Sequence, residues 1–322
     1  MATEPLLSVR DLTISFRLRH GVLTAVHGTS FELGEGERLG IVGESGAGKS
    51  VTGFGIINMV SKPGYIAGGS IRFQGRELTS LSEEEMRDIR GDRISMIFQD
   101  PMMTLNPVLT IGDQMIETLQ AHRKISRKAA AEIAMDRIRK VAIPAPEKRL
   151  EQYPHEFSGG MRQRIVIAIA LLTSPALIIA DEPTTALDVT IQADIMALLL
   201  DLCQSEKMGL ILITHDLAVV SQVAQRIAVM YAGAVMELGE TEQIISDPQH
   251  PYTRGLLAAL PQMVDRRGRL NQIPGVMPNL VGIPAGCPFH NRCSWCEDIC
   301  RRETPPLTPK AAGCLAACHL LE

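Results

Sequence analysis

The sequence predicts an α/β fold in which a largely parallel sheet, covered by helices on both faces, carries a phosphate-binding loop. Three observations predict it. An apolar run, Leu39-Gly40-Ile41-Val42, leads into Gly43-Glu44-Ser45-Gly46-Ala47-Gly48-Lys49-Ser50, which fits the P-loop pattern GxxxxGK[ST] without a mismatch. Short apolar strands alternate with helical patterns along most of the chain. Past Asp247-Pro248, Pro, Gly and Cys become frequent and periodicity fades, which divides the 322 residues into a domain at 1–245 and an extension at 246–322.

The elements follow in order. Leu6 to Phe16 and Ser30 to Leu33 alternate like strands, and Gly34-Glu35-Gly36-Glu37 is a turn before the P-loop strand. A helix is expected to start near Gly48. Ile71 to Leu78 is a β segment with Gly75 in a turn. Ser82, with Glu85 three residues on, marks a capped helix start. Ile94 to Phe98 is a short strand, and Ile111 to about Arg149 is helical with charges on one face. Arg162 to Leu172 is an apolar helix, Leu177 to Ala180 a buried strand, and Val189 to Cys203 a helix. Leu210 to Ile213 and Arg226 to Met230 complete the expected buried strands.

Composition narrows the class. Acidic residues exceed basic ones by 36 to 32, so bulk charge gives no argument for nucleic acid. Met1 to Arg10 lacks the basic start and apolar stretch of a signal peptide. The longest apolar stretch, Ile165 to Ala180, is broken by Thr173-Ser174-Pro175 and fits a buried helix followed by a strand better than a membrane span. The expectation is a cytoplasmic chain whose membrane role comes through partners. Cys203 sits in a helical pattern as a core residue. Cys287, Cys293, Cys296, Cys300, Cys314 and Cys318 all lie in the last 36 residues, where a metal or iron–sulfur site is expected over disulfides.

The P-loop residue types have a chemical reason. Glycines let successive N–H groups turn toward phosphate oxygens, and the helix N-terminus adds its positive end. Lys49 supplies a point charge and Ser50 a hydroxyl for Mg²⁺. Leu177-Ile178-Ile179-Ala180-Asp181-Glu182 is an apolar strand ending in two carboxylates, suited to holding Mg²⁺ (Asp181) and polarising water (Glu182). Standing alone, such a pair would be a helix N-cap; Lys49 in the same chain favours the catalytic reading. Ser158-Gly159-Gly160-Met161 opens the helix at Arg162 and is a second anion-seeking helix start. Two such loops in one chain suggest a head-to-tail dimer with each nucleotide between two subunits.

With these motifs in order over residues 5 to about 240, the chain resembles the ATP-binding subunits of ABC transporters. The resemblance implies a P-loop NTPase (ABC ATPase) core with antiparallel β and helical subdomains. It implies that Gly43 to Ser50, with Val51, bind ATP as Walker A, and that Asp181 closes Walker B with Glu182 as catalytic carboxylate. Ser158 to Met161 is similar to the ABC signature, with Met161 where many members have Gln. Gln99 matches the Q-loop glutamine that touches Mg²⁺ and the attacking water. Ala186-Leu187-Asp188 matches the D-loop, His215 the switch histidine, and Phe16 the aromatic that stacks on adenine.

Phe98-Gln99-Asp100-Pro101, Leu105-Asn106-Pro107, Tyr153-Pro154-His155-Glu156-Phe157 and Gly286-Cys287-Pro288-Phe289-His290-Asn291-Arg292-Cys293 resemble the oligopeptide/dipeptide importer branch. Gly-Gly-Met-Arg-Gln and Met277-Pro278-Asn279-Leu280 resemble its D-type subunit. The resemblance implies a heterodimer with an F-type ATPase, two transmembrane permease subunits, an extracytoplasmic solute-binding protein, and a place on the cytoplasmic face of the plasma membrane. Residues after Gln99, to about Pro107, would lie near the permease. It also implies a 4Fe–4S cluster on Cys287, Cys293, Cys300 and Cys318. Cys296, Cys314 and His319 depart from that pattern and keep a Cys₄ zinc site open. The centre is expected to be structural, since its ligands lie far in sequence from every nucleotide motif. A soluble ABC ATPase uncoupled from transport is the competing reading. The interval Ser50 to Ser158 is too short for a repair-type coiled coil, only one cassette is present, and cluster-assembly ATPases lack such a tail.

Overall fold

In the computed structural model the described residues are 4–185, 187–260, 272–310 and 313–321. The chain divides into two compact units. The first comprises Met1–Gly34, Arg38–Ser80 and Leu212–Glu322; the second comprises Glu35–Glu37 and Leu81–Ile211.

The first unit opens with β1 (Leu7–Leu18), β2 (Gly21–Leu33), β3 (Arg38–Val42), β4 (Gly64–Phe73) and β5 (Arg76–Glu77). Strands β2-β1-β4-β5 form an antiparallel sheet in that order. In β1 the buried residues run Leu7, Val9, Leu12, Ile14, so alternation slips between Val9 and Leu12. Asp11 is the reason: its left-handed backbone (φ 49°) interrupts the register with β2 there, and its N–H bonds Ser30 Oγ at 2.8 Å. β2 begins nine residues before the expected strand start, because hydrogen bonding to β1 through Leu18↔Gly21 orders a stretch whose burial runs in pairs, exposed at Gly21 and Val22 and buried at Ala25 and Val26, with no alternation.

Glu77 fastens this sheet. Its carboxylate accepts from Ser70 Oγ, Ile71 N (3.0 Å), Thr79 N (3.3 Å) and Thr79 Oγ1 (2.6 Å). Desolvation alone would raise its pKa, but these four donors together hold it down at about 2. A depressed carboxylate stabilises the fold above its ordinary value near 4.5 and loses that contribution as pH falls toward about 2. Glu77→Gln is therefore expected to cost about 1–3 kcal/mol at neutral pH and to flatten the acid limb of stability. Denaturant melts from neutral pH to pH 3 check this; an unchanged acid limb would remove Glu77 as its source.

The rest of this unit follows the second one in sequence. β9 (Arg226–Tyr231) runs parallel to β3, pairing Leu39↔Arg226 through Val42↔Val229. β10 (Ala234–Glu240) runs antiparallel to β9. Helices Leu217–Val223, Thr241–Ser246 and Pro251–Ala258 flank them. The extension adds helix Asp298–Arg302 and two short strands, β11 (Thr308–Pro309) and β12 (Leu315–Ala316). β12 pairs with β10 at Glu237↔Ala316 and Leu238↔Leu315, so the cysteine-rich tail extends this unit's own sheet. β3 is buried along its apolar length, as its unbroken Leu39, Ile41 and Val42 require.

In the second unit β6 (Ile94–Ile97) runs parallel to β7 (Leu177–Asp181), register Ile94↔Leu177 to Ile97↔Ala180. β8 (Gly209–Thr214) crosses the division of the chain after Ile211. The helical stretch expected from Ile111 to about Arg149 is present as three helices: Ile111–His122, Arg127–Lys140 and Pro146–Leu150. Ser126 restarts the second by accepting from Ala129 N. Left-handed Ala142 and Ala145 (φ 56° and 54°), with Pro146 at the first turn, separate the third. The Ser82–Glu85 capping box is present: Glu85 N bonds Ser82 Oγ at 3.3 Å and Ser82 N bonds Glu85 Oε2 at 2.9 Å. Among the described residues no helix is long and apolar enough to cross a membrane.

Candidate functional site

β3 delivers the chain into the loop Gly43–Gly48, and the helix Lys49–Ile56 leaves it. The loop needs glycine where the residues predict it. Gly43, Gly46 and Gly48 have φ of 154°, 82° and 95°. A Cβ on Gly43 would stand 2.1 Å from Met230 O, and one on Gly48 2.5 Å from Ala25 O. The loop is tied to its neighbours through Gly233 N to Ala47 O (2.9 Å) and Ala47 N to Glu44 O (3.1 Å). Lys49 is buried, and its Nζ donates to Gly43 O (2.9 Å) and Glu44 O (3.0 Å). The ammonium is thereby held against the start of the loop, and the three glycines form a cradle of backbone whose φ values and close approaches to Met230, Ala25 and Met277 leave no room for side chains. Such a cradle fits a triphosphate: backbone donors, a helix N-terminus and one fixed cation. Ser50 and Val51 form the helix's first turn, with Ser50 partly exposed.

Two further expected residues lie in this unit. Phe16, near the end of β1, is partly exposed and packs on Gly64 of β4, where a Cβ would come within 2.6 Å of its ring. His215 follows β8 and is exposed. Asp216 beside it caps helix Leu217–Val223, accepting from Ala218 N at 2.8 Å and Val219 N at 3.3 Å, which fixes the backbone that presents His215.

The second unit groups the other candidates. β7 ends at buried Asp181 (3% exposed), and Glu182 follows in a left-handed conformation (φ 44°). That backbone is uncommon for a residue with a side chain and clusters at functional sites. The structure brings Gln99 to it: Gln99 Nε2 donates to Glu182 Oε2 at 3.1 Å, and Thr185 Oγ1 donates to the same oxygen at 2.8 Å. Ser158 caps helix Gly159–Ala170 by backbone alone; its side chain is exposed and makes no cap bond. Gly160 lies against Ile191, where a Cβ would approach to 2.8 Å, and Gly159 lies against Leu187. Met161 is half-buried in the first turn. Asp188 caps helix Val189–Ser205 through Oδ1 to Ile191 N at 3.0 Å. Ala186 lies outside the described residues.

The extension, though far in sequence from the nucleotide motifs, reaches the phosphate loop. Arg292 reaches back 248 residues to the loop, its Nη1 donating to Glu44 Oε2 at 2.9 Å. Glu44 N donates to Tyr252 Oη at 3.0 Å. Met277 covers Gly46, its Cε 2.8 Å from where a Cβ would stand. Tyr231, Tyr252 and Phe289 pack edge-on or tilted, centroids 4.7–5.3 Å apart, and anchor the tail here. Burial pushes the neighbouring His250 imidazole down to about 3, so it is neutral and its Nδ1 accepts from Tyr252 N at 3.0 Å. Arg292 and Met277 lie in segments that resemble the importer branch, but nothing local assigns them, or Tyr252, to the phosphate loop.

Within the tail, Cys287, Cys293, Cys300 and Cys318 line one small pocket, with His250, His290 and His319 also on its wall. Cys287 N donates to Cys300 O at 2.8 Å, which fixes two of these residues to each other. Burial raises the Cys287 thiol to about 11 and lifts Cys293 and Cys318 as well. Cys296 points elsewhere, Sγ to Glu297 O at 3.6 Å. Cys314 is fully buried against Glu237, Sγ to Oε1 at 3.5 Å. Among the described residues no group of three or more His, Cys, Asp or Glu is arranged to hold a metal ion.

Comparison with known proteins agrees with this geometry. The ABC transporter family model matches residues 26–185, and the model of the oligopeptide/dipeptide transporter C-terminal region matches residues 236–300. The chain is 51% identical to the oligopeptide transport ATP-binding protein OppD of Bacillus subtilis over 94% of its length and 85% of that protein. It is 50% identical to the dipeptide transport ATP-binding protein DppD of the same organism, over 98% of this chain and 95% of the other. Among solved structures, a dimeric ATP-binding cassette in a post-hydrolysis state with ADP and Pi is similar at TM-score 0.66 and 26% identity, covering 73% of this chain and 98% of that one.

Proposed function

Because the chain belongs to the oligopeptide/dipeptide family of ABC transporter ATP-binding proteins, of the OppD/DppD type, we propose a residue-level account of how it energises import. It is the ATPase subunit of a peptide importer. The observation that carries the account is the glycine cradle of Gly43, Gly46 and Gly48 with Lys49 held against its start.

In this account the loop N–H groups from Ser45 to Val51 and Lys49 hold the phosphates of ATP, and Phe16 packs on adenine. Asp181, Ser50 and Gln99 are the ligands assigned to Mg²⁺, which supplies charge neutralisation on the phosphate oxygens when bound. Gln99 and Thr185 both donate to Glu182 Oε2 and so orient the carboxylate. Glu182 accepts the proton of the attacking water as its oxygen bonds the γ-phosphorus and the bond to ADP breaks. His215 contacts the γ-phosphate. Ser158, Gly159, Gly160 and Met161 present a helix start, exposed at Ser158 and Gly159, to the nucleotide of a second subunit, with Asp188 beside the same interface.

The partners in this reading are an F-type ATPase, forming a heterodimer, and two permease subunits at the cytoplasmic face of the membrane. Hydrolysis is then expected to be slow for the chain alone and to rise on assembly. ATPase assays of the isolated chain and of the reconstituted complex test this. A chain that stays monomeric at all ATP concentrations yet turns over at the complex's rate would sink it.

For the extension, residues 246–322, the reading is an accessory domain holding a 4Fe–4S cluster on Cys287, Cys293, Cys300 and Cys318. Four thiols around one pocket support it. Thiolates suit both an iron–sulfur cluster and zinc, and a Cys₄ zinc site is the runner-up in this reading. Burial raises the Cys287, Cys293 and Cys318 thiols, so binding at those residues must expel protons.

A further inference from the structure

Glu44 is gripped at three points. Its side chain pairs with Arg292 (2.9 Å), its N–H bonds Tyr252 Oη (3.0 Å), and its carbonyl accepts from Lys49 Nζ (3.0 Å). Two of the three grips come from the C-terminal extension and the third is the phosphate-binding lysine. Arg292 has little freedom left. Its side chain is 6% exposed, and it also donates to Pro274 O (2.9 Å), Ile273 O (3.3 Å) and Tyr231 Oη (3.3 Å). The guanidinium lies over the Tyr231 ring at 5.7 Å. The same arginine thus fixes the chain that leads to Met277 over Gly46.

We propose that Arg292, with Tyr252, is a positioning residue of the nucleotide site: it holds the Glu44 step of the phosphate loop, and through the Glu44 carbonyl the Lys49 ammonium, in the ATP-binding conformation. Neither residue touches phosphate in this proposal. A P-loop that must order itself at each encounter loses affinity to that ordering, and a loop held beforehand does not. The charge-assisted pair is the stronger grip, since Arg292 is buried and its fork is engaged on every side. The extension is then part of the ATP site. This rests on the reading of Gly43–Ser50 as the ATP loop.

The test is ATP affinity and steady-state kinetics of the full chain in its assembled transporter. Arg292→Ala is expected to raise the KM and Kd for ATP roughly tenfold, the size of one charge-assisted hydrogen bond, with kcat changed much less. Arg292→Lys is expected to recover part of the loss through the charge alone. Glu44→Ala is expected to match Arg292→Ala, and the double variant to be no worse than either, because both break one contact. Should Arg292→Ala not fold, Tyr252→Phe removes the other grip and reads the same affinity. Unchanged affinity in the folded variants, additive losses in the double variant, or a fall in kcat with KM constant would each overturn the proposal. Lys49→Ala separates the underlying reading: if it binds ATP normally the loop assignment itself fails, whereas lost binding there with unchanged Arg292→Ala affinity rejects only the positioning role.

Discussion

Glu182→Gln is expected to lower ATP turnover ~10²–10⁴-fold while leaving ATP affinity close to that of the unaltered protein. The substitution keeps size and shape. The carbonyl oxygen of the new side chain still accepts from Gln99 Nε2 and Thr185 Oγ1, the two donors that orient Glu182 Oε2. The left-handed backbone at this position (φ 44°) is also unchanged. What disappears is the negative charge that takes a proton from water. Nucleotide affinity rests on other groups, Lys49 and the glycine cradle, so binding and turnover separate. Single-turnover rates and nucleotide titrations of the assembled transporter check this. Near-normal turnover would remove Glu182 from the catalytic role, and a large loss of affinity would mean that the carboxylate holds the loop structure instead.

Replacing any one of Cys287, Cys293, Cys300 and Cys318 by Ser is expected to take the metal content from near one cluster per chain to near none and to loosen the extension. The four thiols line one pocket, so a centre held there would add to the anchoring that Phe289, Arg292 and the β12 pairing already give the tail. Protein purified anaerobically should be brown, absorb broadly near ~400 nm and contain iron and labile sulfide. Cys296→Ser should keep the colour, because that thiol faces Glu297 O. Cys314→Ser should keep it too, since a hydroxyl can still donate to Glu237. Colourless anaerobic protein with stoichiometric zinc would replace the cluster with a zinc site, and loss of metal in the Cys296 or Cys314 variants would show a different ligand set. Since Arg292 sits one residue before Cys293 and grips Glu44, loss of the cluster should also weaken ATP binding.

The motifs legible in the sequence are those whose chemistry depends on contiguous backbone. Gly43 to Ser50 is one: the residue types state the positive φ values that Gly43, Gly46 and Gly48 adopt. The Ser82–Glu85 cap is another, set by four neighbouring residues. The helical stretch expected from Ile111 to about Arg149 is present, but periodicity does not mark where it divides into three helices. Ala142 and Ala145 are good helix formers by type, yet both adopt left-handed conformations between Lys140 and Pro146. The outer half of β2 was missed for the converse reason, as its order comes from pairing with β1.

By itself the sequence determined that this chain binds a nucleoside triphosphate on a P-loop, in the order of motifs of an ABC ATPase with a peptide-importer tail. Only the tertiary structure decided that the tail belongs to the ATP loop's own surroundings, that Gln99 meets Glu182, and which thiols share a pocket. The physical reason is the range of the interactions. A loop's φ values, a helix cap and a strand's alternation are set by neighbours a few residues away and leave a local pattern. A salt bridge between Arg292 and Glu44, 248 residues apart, depends on how β10, β12 and the Tyr231–Tyr252–Phe289 cluster pack, and nothing periodic in the chain records it.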